Sequence, residues 1–292
     1  MELALLQHLP TDAPQPLLAA MQYALTGGGK RMRPMLAFAA CEAVAKQSST
    51  ALRPGMREAV MRAACAVEMI HAYSLVHDDM PCMDDDVLRR GKPTVHVQYG
   101  QAQALLAGDA LQAQAFVVLT QDTDTDDALP ASAQLRCCQL LSVAAGAQGM
   151  AGGQAIDLAS VGTDLNQSEL ERMHALKTGA LIRAAVAMGA VCAGANAQER
   201  TALDVYGQRV GLAFQVVDDV LDVSADTATL GKTAGKDALA DKPTFVSLMG
   251  LSGAQAYAVD LVHSAKAALQ DAGLSDSAAL HALADKIVAR SH

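Results

Sequence analysis

The sequence predicts an all-α fold. Alanine and leucine dominate it, aromatic residues make up 3% with no tryptophan, and that balance favours helices over sheets, which want β-branched and aromatic side chains. Apolar residues recur at three- and four-residue spacing between breaks marked by proline and glycine. With 292 residues, 51% of them hydrophobic, the chain can bury a substantial core, and no repeat, low-complexity tract or boundary divides it. Residues 1–292 are therefore expected to form one domain. The net charge of −9 argues against nucleic acid or an anionic membrane surface as the main partner.

The first helix should follow Pro14 and Pro16 and run through Leu17, Leu18, Met21 and Leu25 until Gly27-Gly28-Gly29 stops it. Lys30-Arg31-Met32-Arg33 comes next, with a new helix starting near Pro34. Glycine backbone N–H groups, three cations and a helix start suit a phosphate group, and they equally make an ordinary flexible basic turn. That helix runs to Lys46. A longer one from about Gly55 carries Ala63, Val67, Ile70 and Ser74 down one face to Asp78. His71 lies on that face, about 10 Å deeper by helical rise, where a lone histidine is ordinarily a hydrogen-bonded core residue.

After a turn at Gly91-Lys92-Pro93-Thr94, helices are expected at residues 102–121, 131–147 and 165–195. Between them lie an acidic surface loop, 122–127, and a glycine-bounded separator, 149–162. Lys177-Thr178-Gly179 interrupts the third helix: either it kinks there and aims Lys177 into a cavity, or the lysine merely snorkels. Helical patterns at 254–270 and 277–289 close the chain. The six cysteines form no C-x-x-C pair and, Cys82 apart, sit in apolar patterns, as reduced core residues do. The first ten residues lack the positive region of a signal peptide, and the most membrane-like run, 184–195, is too short for a bilayer. A cytoplasmic protein with no membrane span is expected.

Two acidic stretches stand out from this background. Asp78, Asp79, Asp84, Asp85 and Asp86 fall within nine positions, with Arg89 and Arg90 close behind. On a straight helix Asp78 and Asp84 would point about 240° apart, but Pro81 forces the helix to end or distort and lets Asp84 swing back. Such carboxylates suit Mg²⁺ held jointly with waters and substrate phosphates. An isolated acidic run is ordinarily just solvated. The second stretch, Phe214-Gln215-Val216-Val217-Asp218-Asp219-Val220-Leu221-Asp222, changes that balance, because Asp218 and Asp222 share one face a helical turn apart. Two aspartate-tipped apolar helices are expected to face each other across a cavity. Arg89 and Arg90 are then either counter-ions or a guanidinium grip for phosphate. Gly231-Lys232-Thr233 is not a Walker loop, since Asp226 stands where a glycine is needed; it reads as a basic loop in which Lys232, Lys236 and Lys242 could close over an anion.

In order along the chain, Gly28-Gly29-Lys30-Arg31-x-Arg33-Pro34, the D-D-x-x-x-x-D of Asp78, Asp79 and Asp84, Arg89-Arg90-Gly91, Lys177-Thr178 and the D-D-x-x-D of Asp218, Asp219 and Asp222 resemble the trans-isoprenyl diphosphate synthases, most closely the bacterial farnesyl diphosphate synthases. The resemblance spans nearly the whole chain. It implies a bundle of about ten helices around a deep cavity, usually a homodimer. It also implies three Mg²⁺ ions held by Asp78, Asp84 and Asp218 within motifs completed by Asp79 and Asp222. Arg89, Lys177 and Lys232 would grip an allylic diphosphate, with Thr178 and Gln215 nearby, and Lys30, Arg33, His71 and Arg90 would hold isopentenyl diphosphate. The implied reaction condenses isopentenyl diphosphate with dimethylallyl and then geranyl diphosphate, the departed diphosphate taking the proton. In related sequences with an insertion like Pro81-Cys82, an aromatic residue at the place of Tyr73, beside Ser74, goes with a fifteen-carbon product. A twenty-carbon synthase, a terpene cyclase and a silent prenyl-diphosphate-binding subunit are the alternatives; the second D-D-x-x-D speaks against the cyclase and the retained ligands against the silent subunit. Val87 and Pro243 depart from the pattern of close relatives.

Overall fold

A computed structural model describes residues 1–47, 52–121, 129–163, 165–224, 243–274 and 276–289. The acidic loop at 122–127 and Lys232, Lys236 and Lys242 lie outside the described residues. The described chain is helical: α1 (Glu2–Gln7), α2 (Gln15–Leu25), α3 (Met32–Gln47), α4 (Pro54–Asp78), α5 (Val95–Tyr99), α6 (Gln101–Thr120), α7 (Ala131–Ala145), α8 (Met150–Ala159), α9 (Gln167–His174), α10 (Ala180–Cys192), α11 (Ala197–Ser224), α12 (Phe245–Asp271) and α13 (Ala278–Val288). A two-residue hairpin, β1 (Leu88–Arg89) against β2 (Lys92–Pro93), is antiparallel with Arg89 opposite Lys92. One π-helical turn, Ala175–Gly179, joins α9 to α10 into a single rod. With that rod counted once and the short α1 and α5 set aside, ten helices are described, as the sequence leads one to expect.

Local chemistry explains the boundaries. Proline occupies the first turn of α2 and of α4, where its missing N–H costs nothing. Asn166 and Glu169 form a capping box at the start of α9, and Asn196 with Glu199 forms another at α11. Thr244 caps α12, which kinks at Gly250, φ +72°. The segment 149–162, read from sequence as a separator, contains α8; its paired glycines masked the helix.

The core has two halves that share a partition. α4 lies in the first half, where Val60, Val67 and Ile70 pack with Leu111 of α6 and Leu141 of α7. α11, α12 and α13 make the second around Tyr206, Phe245 and Leu280. Helices α3 and α10 each serve both: Ala37 and Cys41 face one half while Leu36 and Val44 face the other, and Leu181 and Ala185 alternate with Ile182 and Val186 in the same way. An all-round apolar helix is what such a two-sided position requires. By length and composition Pro54–Asp78, Gln101–Thr120, Gln167–Cys192 and Phe245–Asp271 could each cross a membrane, so the short run at 184–195 was not the most membrane-like segment. The apolar stretch of α4 is 83% buried by helix-on-helix packing, whereas those of α6 and α12 are 39% and 28% buried.

The π turn is where three helices meet at van der Waals distance. A Cβ on Gly153 of α8 would lie 2.1 Å from the Lys177 backbone nitrogen, and one on Gly211 of α11 would lie 2.8 Å from Gly179 Cα. Neither position can take a side chain without moving backbone. Gly153→Ala is therefore expected to cost about 1–3 kcal/mol of stability through overpacking, read as a lower denaturant midpoint with an unchanged m-value.

Candidate active site

Helix α4 ends at Asp78, before Pro81, and the chain then doubles back. The Asp84 amide donates to the Asp78 carbonyl at 2.9 Å and that of Asp86 to Asp79 at 3.2 Å, with Asp85 at φ +50°. This is the reversal the sequence implied. Burial pushes the Asp78 carboxyl up to about 6, with Asp84 and Asp79 adding repulsion while Lys177 and Arg89 oppose it. Asp79, grouped from sequence with the metal ligands, instead engages both oxygens with Arg89: Nε donates to Oδ1 at 2.9 Å and Oδ2 at 2.8 Å, and Nη2 to Oδ1 at 2.5 Å. Its immediate role is to aim that guanidinium.

The glycine turn before α3 is a seat for arginines. Arg90, at φ +54°, donates from Nη1 to the Gly28 carbonyl. Gly29 has φ +126°, which favours glycine, and a Cβ there would sit 2.6 Å from Arg90 Nη1 and push that guanidinium from its seat. Arg31 is committed to structure, donating to Glu68 at 2.7 Å and to the Leu25 carbonyl at 2.6 Å. Lys30 is exposed. The Arg33 guanidinium Nε is buried and has no hydrogen-bond partner among the described residues, and burial lowers its affinity for a proton, with Glu68 and Asp218 the charges that favour it. His71 is held neutral, first by burial and then by Arg33, Arg90, Arg89 and Arg31. A histidine among four arginines is not the isolated core residue that its position on α4 alone suggested.

Helix α11 brings the second motif to this place. Asp218 is half-buried and within electrostatic reach of Arg33. Asp219 accepts the Phe245 backbone N–H at 2.8 Å and so ties α11 to the start of α12. Asp222 is 5% exposed, and among the described residues its Oδ1 has no hydrogen-bond partner. Lys177, on the π turn, pairs with Asp157 of α8 at 2.6 Å and is near enough to Asp78 to lower its pKa. Thr178 beside it is half-buried. Gln215 Nε2 lies 3.2 Å from His174 Nδ1. Tyr73 is buried five residues before Asp78, edge-on to His77 with centroids 5.6 Å apart, and Gln112 of α6 approaches its hydroxyl at 3.5 Å. The Ser74 hydroxyl donates to the His71 carbonyl.

Among the described residues no three carboxylate, histidine or cysteine side chains converge on one point. Mg²⁺ takes one or two carboxylates and completes its shell with water and phosphate oxygens. The orphaned Asp222 oxygen and the mutual repulsion of Asp78 and Asp84 fit such a hard cation. A 50 Å³ cavity bounded by Tyr23, Asp79, Arg89 and Arg90 adjoins the first motif. A larger 660 Å³ groove between α7, α10 and α11 includes Gly179 but none of the residues that the sequence assigns to ligand or metal binding.

Sequence reasoning missed Glu68, Asp157 and His174. The readable signal was a single acid in an otherwise small and apolar stretch: Glu68 amid the α4 face, and Asp157 three residues after Gln154 in Gly152-Gly153-Gln154-Ala155-Ile156. Glu68→Ala is expected to cost about 3 kcal/mol, because it strands a partly buried guanidinium. A denaturation double-mutant cycle with Arg31→Met checks this, the double variant recovering part of the loss.

The polyprenyl synthetase family profile matches residues 14–273. The chain is 46% identical over 279 residues to the farnesyl diphosphate synthase of Escherichia coli K12, covering 94% of this chain and 90% of that one. Among solved structures, the apo FPP/GFPP synthase of Zymomonas mobilis superposes with TM-score 0.82 at 41% identity, covering 97% of this chain and 93% of the other. The geranyltransferase of Helicobacter pylori complexed with magnesium and isoprenyl diphosphate gives 0.80 at 35%, covering 96% and 89%. A profile match over most of the chain and 46% identity across nearly the whole length of a farnesyl diphosphate synthase place this chain in the polyprenyl synthetase family.

Proposed function

We infer that the chain is a farnesyl diphosphate synthase, a prenyltransferase that condenses isopentenyl diphosphate with dimethylallyl and then geranyl diphosphate. The observation that carries this reading is electrostatic: Lys177 acts on Asp78 of the first motif and lowers its pKa, and Asp218 of the second favours the charge on Arg33. Cations set beside the carboxylates of both motifs suit a diphosphate.

In this reading Arg89 and Lys177, held by Asp79 and Asp157 in the absence of substrate, turn to the allylic diphosphate together with Lys232, with Thr178 and Gln215 beside them. Lys30, Arg33, His71 and Arg90 take isopentenyl diphosphate; His71, kept neutral among arginines, serves as a hydrogen-bonding partner there. Asp78, Asp84 and Asp218, with Asp222 supporting the second motif, would hold three Mg²⁺ ions, which would supply positive charge opposite the departing diphosphate. Breaking the allylic C–O bond leaves a cation, the double bond of isopentenyl diphosphate attacks it, and the proton then lost passes to the departed diphosphate. The apolar wall below Asp78 keeps water from the cation. Tyr73 forms the floor of that wall and stops growth at fifteen carbons. Val87, the departure from close relatives, is 60% exposed and removes no ligand.

A cytoplasmic homodimer completes the reading. Leu105, Leu106 and Val117 of α6 and Leu135 and Val143 of α7 are exposed, an apolar surface of the kind that a second subunit covers. No nucleic acid and no membrane span enter the reading.

The first test incubates the protein with Mg²⁺, dimethylallyl diphosphate and excess labelled isopentenyl diphosphate and resolves the dephosphorylated products. A dominant C15 band is expected; a C20 band from the wild type would refute the Tyr73 floor, and no condensation even from geranyl diphosphate would support a silent subunit. Tyr73→Ala is expected to move the main product to C20 while leaving condensation intact. Asp78→Asn and Asp218→Asn should each lower kcat by about 10²–10³-fold, the loss typical when one stabilising contact to a developing anion is removed. Chelation should abolish turnover and added Mg²⁺ restore it.

A further inference from the structure

We propose that His174 is a positioning residue of the diphosphate site, fixing the side-chain amide of Gln215 so that its nitrogen is tied back and its carbonyl oxygen is the end presented away from the imidazole. The ligand's identity rests on the synthase reading, but the positioning does not. His174 is the last residue of α9, immediately before the π turn that carries Lys177. Its ring is 7% exposed and stacks on Phe245 with centroids 5.5 Å apart and planes 29° apart. Phe245 in turn donates its backbone N–H to Asp219 of the second motif. The imidazole is therefore clamped between α9 and α12, and it cannot turn without disturbing the helix start that Asp219 caps.

The contact of Gln215 Nε2 with His174 Nδ1, 3.2 Å, fixes more than a distance. With the amide nitrogen facing the ring, Nδ1 accepts and the one proton of the neutral imidazole sits on Nε2, whereas the opposite amide orientation would require the Nδ1–H tautomer. Nε2 is buried and has no partner among the described residues. Burial holds the ring neutral, its pKa depressed to about 4, with Asp157 and Lys177 as opposing neighbours. The amide nitrogen being committed, Gln215 offers its Oε1 as an acceptor. That oxygen suits a donor such as an ammonium group or a cation-bound water, and not the diphosphate oxygens themselves. Gln215 then orders the donors around the leaving group instead of gripping it, and His174 sets which end of the amide does so.

The test combines two readouts. In protein labelled with ¹⁵N-histidine, His174 should show the neutral Nε2–H tautomer, and Gln215→Leu should shift its Nδ1 resonance. An Nδ1–H tautomer, an imidazolium at neutral pH, or a resonance indifferent to Gln215→Leu would overturn the proposal. These spectra are recorded on folded wild type and on a variant outside the ring stack, so they decide even if histidine replacements fail to fold. In kinetics, His174→Phe, which keeps the stack and the shape, should lower kcat about tenfold, as loss of one hydrogen bond does. Its KM for isopentenyl diphosphate should stay within about twofold of wild type, Gln215→Leu on top should add nothing, and His174→Asn should recover part of the loss. Unchanged kcat in His174→Phe, or a loss additive with Gln215→Leu, would overturn it. If wild-type protein condenses nothing, the synthase reading fails while the tautomer spectra still decide the role of His174.

Discussion

Two helices end in carboxylates, and the rest of the molecule is arranged to tolerate that. The C-terminus of a helix already carries partial negative charge, so an acid there meets repulsion where a lysine would meet attraction. Asp78 closes α4, and Asp218, Asp219 and Asp222 occupy the last turns of α11. Both helices are held by packing on their full length in the core, which supplies the stability that these ends give up. Burial, with Asp84 and Asp79 adding repulsion, raises the Asp78 pKa as well. A site built this way favours cations at its mouth.

Behind the groups that would touch a ligand lies a layer that aims them. Asp79 aims Arg89, Asp157 aims Lys177, the Gly28 carbonyl aims Arg90, and His174 aims Gln215. Arg31 and Glu68 lock the turn on which Lys30 and Arg33 are carried. Each of these partners sits on a different element from the group it holds, so the order of the site is inherited from helix packing. The π turn shows the cost: it widens the rod by one residue to place Lys177, and the glycines at 153 and 211 let α8 and α11 close on it.

The helical class, most helix positions and both aspartate motifs were legible in the sequence because they rest on local spacing. The reversal at Pro81 could be read from the ring's missing N–H, and the interruption at Lys177-Thr178-Gly179 from polar residues in an apolar run. Partners brought in from distant elements could not be read. Arg89 could be read as a counter-ion of the aspartates, but nothing in the sequence says that Asp79 is the one it takes, and nothing near His71 says that four arginines act on it electrostatically. The helix α8 was hidden by Gly152-Gly153, which depress helix propensity for reasons visible only in the fold, where the Ala147 backbone lies against Gly152 and that of Lys177 against Gly153. Arg31 looked equivalent to its neighbours Lys30 and Arg33, and only burial against Glu68 separates it from them.

The central claim is that the two aspartate motifs serve one cluster of cations. It is tested most directly by electron paramagnetic resonance of the protein with Mn²⁺ and inorganic diphosphate. Exchange- or dipole-coupled manganese is expected in the wild type, collapsing to isolated ions in Asp78→Asn and in Asp218→Asn alike. Magnetically isolated manganese in the wild type, or a coupled signal that survives loss of either motif, would contradict the account.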